Sequence, residues 1–136
     1  MATVTSLGAC DIFTVDSVDL KEQHVSITMS KNVDALESTS LADSSRRFVA
    51  GLESSETTFT VLGSFLTGEA IQAIFGDVGS SVTIVFAPLS GSPASSSPKY
   101  THSNAFLASA PIVSEVGSLV QISATYTGGS IAQALV

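Results

Sequence analysis

The fold is decided by a stretch of alternating residues, His24-Val25-Ser26-Ile27-Thr28-Met29-Ser30. In an extended strand, Val25, Ile27 and Met29 would share one face, and the hydroxyl side chains would share the other. This pattern is typical of an antiparallel strand that buries one of its faces. The same period of two recurs over residues 120–127, so the sequence predicts an antiparallel sheet with one polar face.

Further strands are predicted wherever apolar residues recur at every second position. They cover residues 11–15, 57–65, 81–87 and 100–107, with the first and the last of these giving the weaker signal. Thr, Val, Ile and Phe are frequent in these stretches, and they are the residues that strands favour.

One segment, residues 67–76, has a helical period instead. Ile71, Ile74 and Phe75 fall at the spacing of one helix face, Thr67 is a candidate N-cap, and Gly76 is placed to end the helix. We therefore predict a short helix of about two turns, packed on a sheet, within a mostly β fold.

Composition limits the class of protein. The chain has 136 residues, enough for one domain with a real core. Only 12% of its residues are charged and its mean hydropathy is +0.43, yet no apolar run approaches the roughly 18 residues that would span a bilayer. Such a composition suits either a protein with large permanent interfaces or a monomer kept soluble by its many Ser and Thr hydroxyls.

The charge balance is acidic. The formal net charge is −7, and nine of the twelve acidic residues lie between Asp11 and Glu56. Lys and Arg are needed to neutralise phosphates, so sequence-specific contact with nucleic acid is not expected.

Residues 1–5 have neither a basic nor an apolar region, which predicts no signal peptide. The single Cys10 is expected to be a small thiol in the core. The single cysteine and the expected lack of a signal peptide together indicate folding in a reducing cytoplasm.

No enzymatic chemistry, cofactor or metal site is expected. Residues 96–99, Ser-Ser-Pro-Lys, have the S-x-x-K spacing but lie in the Pro- and Ser-rich loop 88–98 and lack the companion motifs. His24 and His102 have no cluster of Cys or His around them to complete a zinc site, and His102 is expected on a strand face or an interface. The acids of residues 16–22 fit a charged turn between two strands better than a calcium loop.

A long inter-strand arm, residues 37–56, carries apolar side chains without a clean period. Loops of this length within a compact domain are uncommon and tend to be functional. Its apolar side chains need a place to bury, which a neighbouring subunit would provide, whereas the Arg46-Arg47 pair is either a solvated surface or a source of salt bridges to that subunit. The residues predicted to form a subunit interface are Leu36, Leu41, Arg46, Arg47, Phe48, Val49 and Leu52.

This layout resembles the major tail tube proteins of long-tailed, siphovirus-type phages and related tail-like particles. The first half of the resemblance is residues 44–52, Ser-Ser-Arg-Arg-Phe-Val-Ala-Gly-Leu, followed by the strand 57–61, Thr-Thr-Phe-Thr-Val, and the short helix. The second half comprises residues 97–100, 105–109 and 116–124. The similarity extends from about residue 10 to about residue 128.

The resemblance implies an antiparallel β-sandwich or half-barrel with one short flanking helix, as a single domain over residues 1–136. Such subunits form hexameric rings that stack into a tube, and the arm reaches the next subunit or ring. The expected partners are further copies of the chain, tape measure and tail-terminus proteins, and DNA passing through a negative lumen without being held; no membrane is involved. The expected location is the tail of a virion, assembled in the host cytoplasm.

A second hypothesis is a secreted or surface β-sandwich that binds carbohydrate. It rests on fold type alone. The chain has no Trp and only two Tyr with which to stack on sugars, and the acids that suit a DNA conduit would equally serve solubility on an outer surface.

Overall fold

The computed structural model describes residues 12–63, 70–88 and 98–134. Within these ranges, nine strands and one α-helix follow one another, with a short 3-10 turn at Lys21–Gln23. The elements are β1 (Ile12–Val15), β2 (Val18–Asp19), β3 (His24–Glu37), β4 (Phe48–Leu62), α1 (Ala70–Gly76), β5 (Ser81–Ala87), β6 (Lys99–Ser109), β7 (Ile112–Val113), β8 (Gln121–Thr127) and β9 (Ser130–Ala134).

The described strands form one antiparallel sheet in the order β2-β1-β5-β6-β8-β4-β3, while β7 pairs with β8 and β9 pairs with β6. The rings of Phe13 on β1 and Phe59 on β4 are 5.0 Å apart, although three strands lie between β1 and β4 in the sheet. At about 4.8 Å per strand, a flat sheet would keep them roughly 19 Å apart. The sheet therefore curls around its core without closing, which confirms the predicted half-barrel.

The core lies inside this curl and is built from the inward face of each strand. Phe59 stacks on Tyr126 with ring centroids 5.5 Å apart, and both side chains are almost completely buried. Burial raises the pKa of the Tyr126 hydroxyl, the charges of Asp77 and Asp16 adding to the effect. The predicted alternation at residues 120–127 is confirmed, because Ile122, Ala124 and Tyr126 all point inward.

The helix is present but buries less of its stripe than predicted. Ile71 and Ile74 pack into the core, whereas the Phe75 side chain is 58% exposed. The prediction that all three residues share the buried stripe is therefore wrong at Phe75, because this short helix rests on the sheet through Ile71 and Ile74. The predicted N-cap, Thr67, lies outside the described residues, as do Cys10 and most of the loop 88–98.

The alternating stretch that decides the fold, residues 24–30, is interrupted by one extra residue near its start. His24 is opposite Val61 and Ser26 is opposite Thr60, so Val25 is an extra residue in a β-bulge. Val25 is 51% exposed as a result, and the prediction that it shares the buried face was wrong. From Ile27 onward the alternation holds, with Ile27 and Met29 packed against the core.

The inter-strand arm is not a loop over its whole predicted length. β3 continues to Glu37 and β4 begins at Phe48, so only residues 38–47 connect the two strands. The predicted boundaries of 37–56 were therefore wrong at the C-terminal side, because backbone hydrogen bonds alone extend the hairpin where no core exists. Residues 31–54 form this protruding part, which we call the hairpin arm.

A tight turn joins β8 to β9 at Gly128 and Gly129. Both glycines have positive φ, and a Cβ on Gly129 would collide with the carbonyl oxygen of Ser103. The turn sends β9 along β6, where Ile131 lies opposite His102. β9 thus takes the place of β8 beside β6.

His102 lies against this turn. Its side chain is fully buried, with Nδ1 2.7 Å from Thr57 Oγ1 and Nε2 2.6 Å from the carbonyl oxygen of Gly128. His102 was expected on a strand face or an interface, and it does lie on a strand, β6; the face that it occupies is the buried one, where Thr57 and Gly128 give the ring two polar partners.

Candidate functional site

The hairpin arm projects beyond the core. Ser55 and Thr57 on β4 are buried, but the preceding residues 44–54 are exposed or half-buried, and residues 31–42 on the β3 side are all exposed. Cross-strand pairs continue to Leu36–Val49 and Glu37–Phe48, with an irregularity after Val33. The backbone ladder therefore holds the hairpin arm extended with little help from apolar burial.

The tip of the hairpin arm, residues 38–47, is ordered by polar contacts. The Ser38 amide donates to the Arg47 carbonyl at 2.8 Å, and the Arg47 amide donates to Thr39 Oγ1 at 2.9 Å. Asp43 accepts from the Ser40 amide at 2.8 Å and pairs with the Arg47 guanidinium at 3.2 Å. The Ser40 amide, followed by the Arg47 side chain, holds the pKa of Asp43 below its usual value.

All the predicted interface residues lie on the hairpin arm. The apolar ones are at least half exposed: Leu36 53%, Leu41 108%, Phe48 56%, Val49 53% and Leu52 82%. Five large apolar side chains on one thin hairpin make an unusual surface for a protein in water. Nothing in the described part of the chain covers them.

The faces of the hairpin arm differ. Leu36 is directly opposite Val49, so both side chains project from the same face. Gly51 lies beside them, and a Cβ there would come within 3.1 Å of Leu36 Cγ. A side chain at Gly51 would therefore crowd Leu36. Phe48, the residue before Val49 on β4, projects from the opposite face.

The two arginines of the tip are not equivalent. Arg47 already has a carboxylate partner in its own chain, Asp43. Arg46 is exposed, and no described residue forms an ion pair with it. The prediction of salt bridges to a neighbouring subunit therefore stays a prediction, and it rests mainly on Arg46.

A second surface covers the outer faces of β3, β4 and β8. Residues in register there form three rows of three, and we call these nine residues the hydroxyl face. The rows are Ser26–Thr60–Ser123, Thr28–Thr58–Thr125 and Ser30–Glu56–Thr127. Within it, the hydroxyls of Thr60 and Ser123 are 3.1 Å apart. The surface carries one carboxylate and no cation.

A third feature is an open groove of about 420 Å³ beside the base of the hairpin arm. Its apolar lining comes from Ile27 and Met29 on one side and from Phe86, Tyr100 and Ile131 on the other. Sequence reasoning missed it, because it depends on β9 folding back along β6 to face β3. Residues 131–136, Ile-Ala-Gln-Ala-Leu-Val, are mostly apolar, and this is the local sequence feature that would suggest a buried strand there.

The titratable groups do not assemble a reaction centre within residues 12–63, 70–88 and 98–134. No group of three or more His, Cys, Asp or Glu side chains there could hold a metal ion. His24 lies against Phe13 and Phe86 at ring distances of 4.9 and 6.0 Å, and this burial lowers its pKa. The acids of residues 16–22 lie in and around the turn from β1 to β2, where Asp16 and Ser17 have positive φ. No helix in the described ranges is long and apolar enough to span a membrane.

No protein-family model and no curated protein sequence matches the chain. Solved structures do match it in fold. A chain from the SPP1 tail tube superposes with a TM-score of 0.64 at 13% identity, covering 84% of this chain and 66% of that one. A chain from the virion of a native gene transfer agent (GTA) particle gives 0.63 at 13% identity, covering 90% and 93%.

A chain from the tail of an empty GTA particle, refined with C6 symmetry, gives a TM-score of 0.61 at 14% identity, covering 84% of this chain and 82% of that one. At these identities the likeness concerns architecture. The curled antiparallel sheet, the short helix and the long β3–β4 hairpin together give this chain the fold found in the tails and tail tubes of phage-like particles.

Proposed function

We propose that this chain, as a single domain over residues 1–136, is a structural subunit that self-assembles into a tail tube. The observation that carries the proposal is the hairpin arm, which exposes five large apolar side chains at 53% or more. In an isolated monomer this surface would stay in contact with water. Burying it against further copies of the chain would recover about 25 cal/mol for each Å² of apolar area covered.

The proposed assembly is a stack of hexameric rings. Support for six-fold symmetry comes from the GTA tail, whose structure was refined with C6 symmetry. A single surface patch that docks onto a different patch of the next copy generates a ring or a continuing stack. The end partners of the tube would be tape measure and tail-terminus proteins, and its location would be the tail of a virion.

We further propose that the hydroxyl face lines the lumen. A wall for a moving polyanion must stay hydrated without binding phosphate, and every Lys or Arg that contacts a phosphate strengthens binding through counterion release. The nine residues of this face contain no Lys or Arg and a single acid, Glu56. The surface thus suits a conduit through which DNA passes during ejection.

The carbohydrate-binding alternative gains no specific support. The two Tyr rings that could stack on sugars are otherwise placed, because Tyr126 is fully buried in the core and Tyr100 lines the groove beside the hairpin arm. The chain contains no Trp.

Purified protein tests the proposal directly. Analytical sedimentation over a range of concentrations, with negative-stain electron microscopy of the same samples, should show rings or tubes growing as concentration rises. A monodisperse monomer at every concentration, including after addition of preformed tail fragments as nuclei, would contradict the proposal.

A further inference from the structure

The apolar groove beside the hairpin arm has the size and lining of a site for large apolar side chains. Its volume of about 420 Å³ is within the range of roughly 300–1,000 Å³ for ligand pockets. Ile27, Met29 and Phe86 form part of its wall and are only partly buried. The groove is therefore continuous with the core and open to the outside.

The groove lies between side chains of β3 on one side and of β5, β6 and β9 on the other. Among the described residues, β3 ends the sheet order and β9 pairs with β6, so no backbone pairing joins β3 to β9. Glu53 on β4 links that strand to β9, since its Oε1 accepts from the Ile131 amide at 3.2 Å, and the same oxygen accepts from the Ser55 hydroxyl at 3.1 Å. The rest of the groove is open.

One charged group lies at the rim of the apolar groove. Lys31 lines the groove, and its side chain is 54% exposed. Its ammonium lies 3.9 Å from the Glu53 carboxylate. An ammonium has three donors, so this one long contact leaves it able to receive a second carboxylate.

The hairpin arm carries the matching pair of groups. Phe48 and Glu37 are directly opposite in the β3–β4 register, and opposite residues project from the same face with Cβ atoms about 5 Å apart. The ring of Phe48 is 56% exposed. A large apolar side chain with a carboxylate beside it thus complements an apolar groove with an ammonium at its rim.

We propose that Phe48 of one copy inserts into this groove of a second copy, and that Glu37 of the first pairs with Lys31 of the second. This proposal rests on the proposed self-assembly and names the surface that receives the hairpin arm. Lys31 and Glu37 are six residues apart on one strand, about 20 Å at 3.3 Å per residue. The pair cannot form within one chain, so it joins two copies.

Charge reversal tests the pairing. Lys31→Glu alone presents a carboxylate to the Glu37 carboxylate of the neighbour, and Glu37→Lys alone presents an ammonium to Lys31. At a concentration where about half of the wild-type protein is assembled, each variant should leave at least tenfold less material in the sedimenting fraction. The double variant Lys31→Glu/Glu37→Lys should restore assembly to within about twofold of wild type.

Mixing the two single variants gives the sharper result. In an assembly in which the two variants alternate, every second contact joins the Lys31→Glu groove to the Glu37→Lys arm. The contacts in between join the unchanged Lys31 of one variant to the unchanged Glu37 of the other. An equimolar mixture should therefore assemble although neither variant does so alone. The matched control is Lys31→Glu combined with Glu115→Lys, which reverses an exposed carboxylate in the β7–β8 connection and should remain defective.

The outcomes separate this contact from self-assembly itself. If wild-type protein never assembles, the proposed function fails. If wild type assembles and both single variants do so equally well, the groove does not receive the hairpin arm of another copy. Recovery in the double variant but not in the mixture would place the contact within one chain. Recovery of assembly in the control Lys31→Glu/Glu115→Lys would show that net charge alone sets the effect. Either of these last two results overturns the proposal.

Discussion

His102 on β6 and Thr57 on β4 are joined by a buried contact of 2.7 Å between Nδ1 and Oγ1, although β8 lies between these strands in the sheet order. The other ring nitrogen faces the Gly128 carbonyl at 2.6 Å. A carbonyl only accepts, so Nε2 carries the proton and, in the neutral ring, Nδ1 accepts from the Thr57 hydroxyl. One buried imidazole on β6 thus links β4 to the turn between β8 and β9.

Replacing this ring should destabilise the fold strongly. His102→Ala leaves the Gly128 carbonyl and the Thr57 hydroxyl without their partner and creates a cavity, so we expect a loss of about 2–4 kcal/mol in the free energy of unfolding. Thr57→Val removes one hydroxyl at nearly constant volume and should cost about 1–2 kcal/mol. Urea denaturation of both variants measures this, and a loss below about 0.5 kcal/mol for His102→Ala would refute the bridging role.

His24 gives the stability a pH dependence. Burial lowers its pKa in the folded state below the usual 6.5, so between those two values the unfolded chain binds more protons than the folded one. Stability should therefore be unaffected by this group above about pH 7 and should fall as the pH drops below about 6.5.

His24→Phe should remove this contribution, because a phenyl ring can take the same place against Phe13 and Phe86. The measurement is the difference in urea midpoint between pH 7.5 and pH 5.5, which should shrink relative to wild type. An unchanged difference would show that other groups set the pH dependence.

Phe48→Asp should block assembly while leaving the domain folded. Phe48 is 56% exposed in the single chain, so the thermal unfolding curve should hardly change. Burying a carboxylate at a subunit contact costs several kcal/mol, and each 1.4 kcal/mol is a factor of ten in affinity. We expect at least a tenfold loss of sedimenting assemblies.

The matched control for this variant is Val116→Asp, an apolar residue that is fully exposed at 107% but lies away from the hairpin arm. It should assemble like wild type. Equal loss in both variants would mean that added negative charge, rather than the hairpin arm, decides the result.

The hydroxyl face can be tested by making it basic. Thr58 and Thr125 are adjacent in register at its centre. If this face lines the lumen, tubes of Thr58→Lys/Thr125→Lys should retain DNA that resists nuclease, and the retention should fall steeply with salt. Wild-type tubes should retain none.

Ser114→Lys, at an exposed position outside this face, serves as the control, because DNA bound on the outer surface remains open to nuclease. Protected DNA in the control but not in the double variant would place the hydroxyl face elsewhere in the tube.

The sequence predicted the strands well where they contribute to the core. Alternation reports which side chains are buried, and so it located β5, β6 and β8 closely. It could not report where a strand continues without a core, and for that reason the extension of β3 and β4 into the hairpin arm was missed. The apolar residues of the hairpin arm were nevertheless recognised, because their lack of period is itself a sign that the chain does not bury them.

Other features depend on partners far away in the sequence. The bulge at Val25 inserts one residue relative to β4, and a single strand gives no indication of it. The burial of His102 depends on Gly129, which can turn only because it lacks a side chain against Ser103. The groove needs β3 and β9 to face each other, a relation set by the whole sheet rather than by any local pattern.

An electron cryo-microscopy reconstruction of the assembled protein tests the account most directly. It should show rings stacked into a tube, with the side chains of Leu36, Phe48 and Val49 buried between copies and Phe48 seated against Met29 and Ile131 of a neighbour. A reconstruction in which the hairpin arm stands free in solvent, with the copies joined through other surfaces, would contradict it.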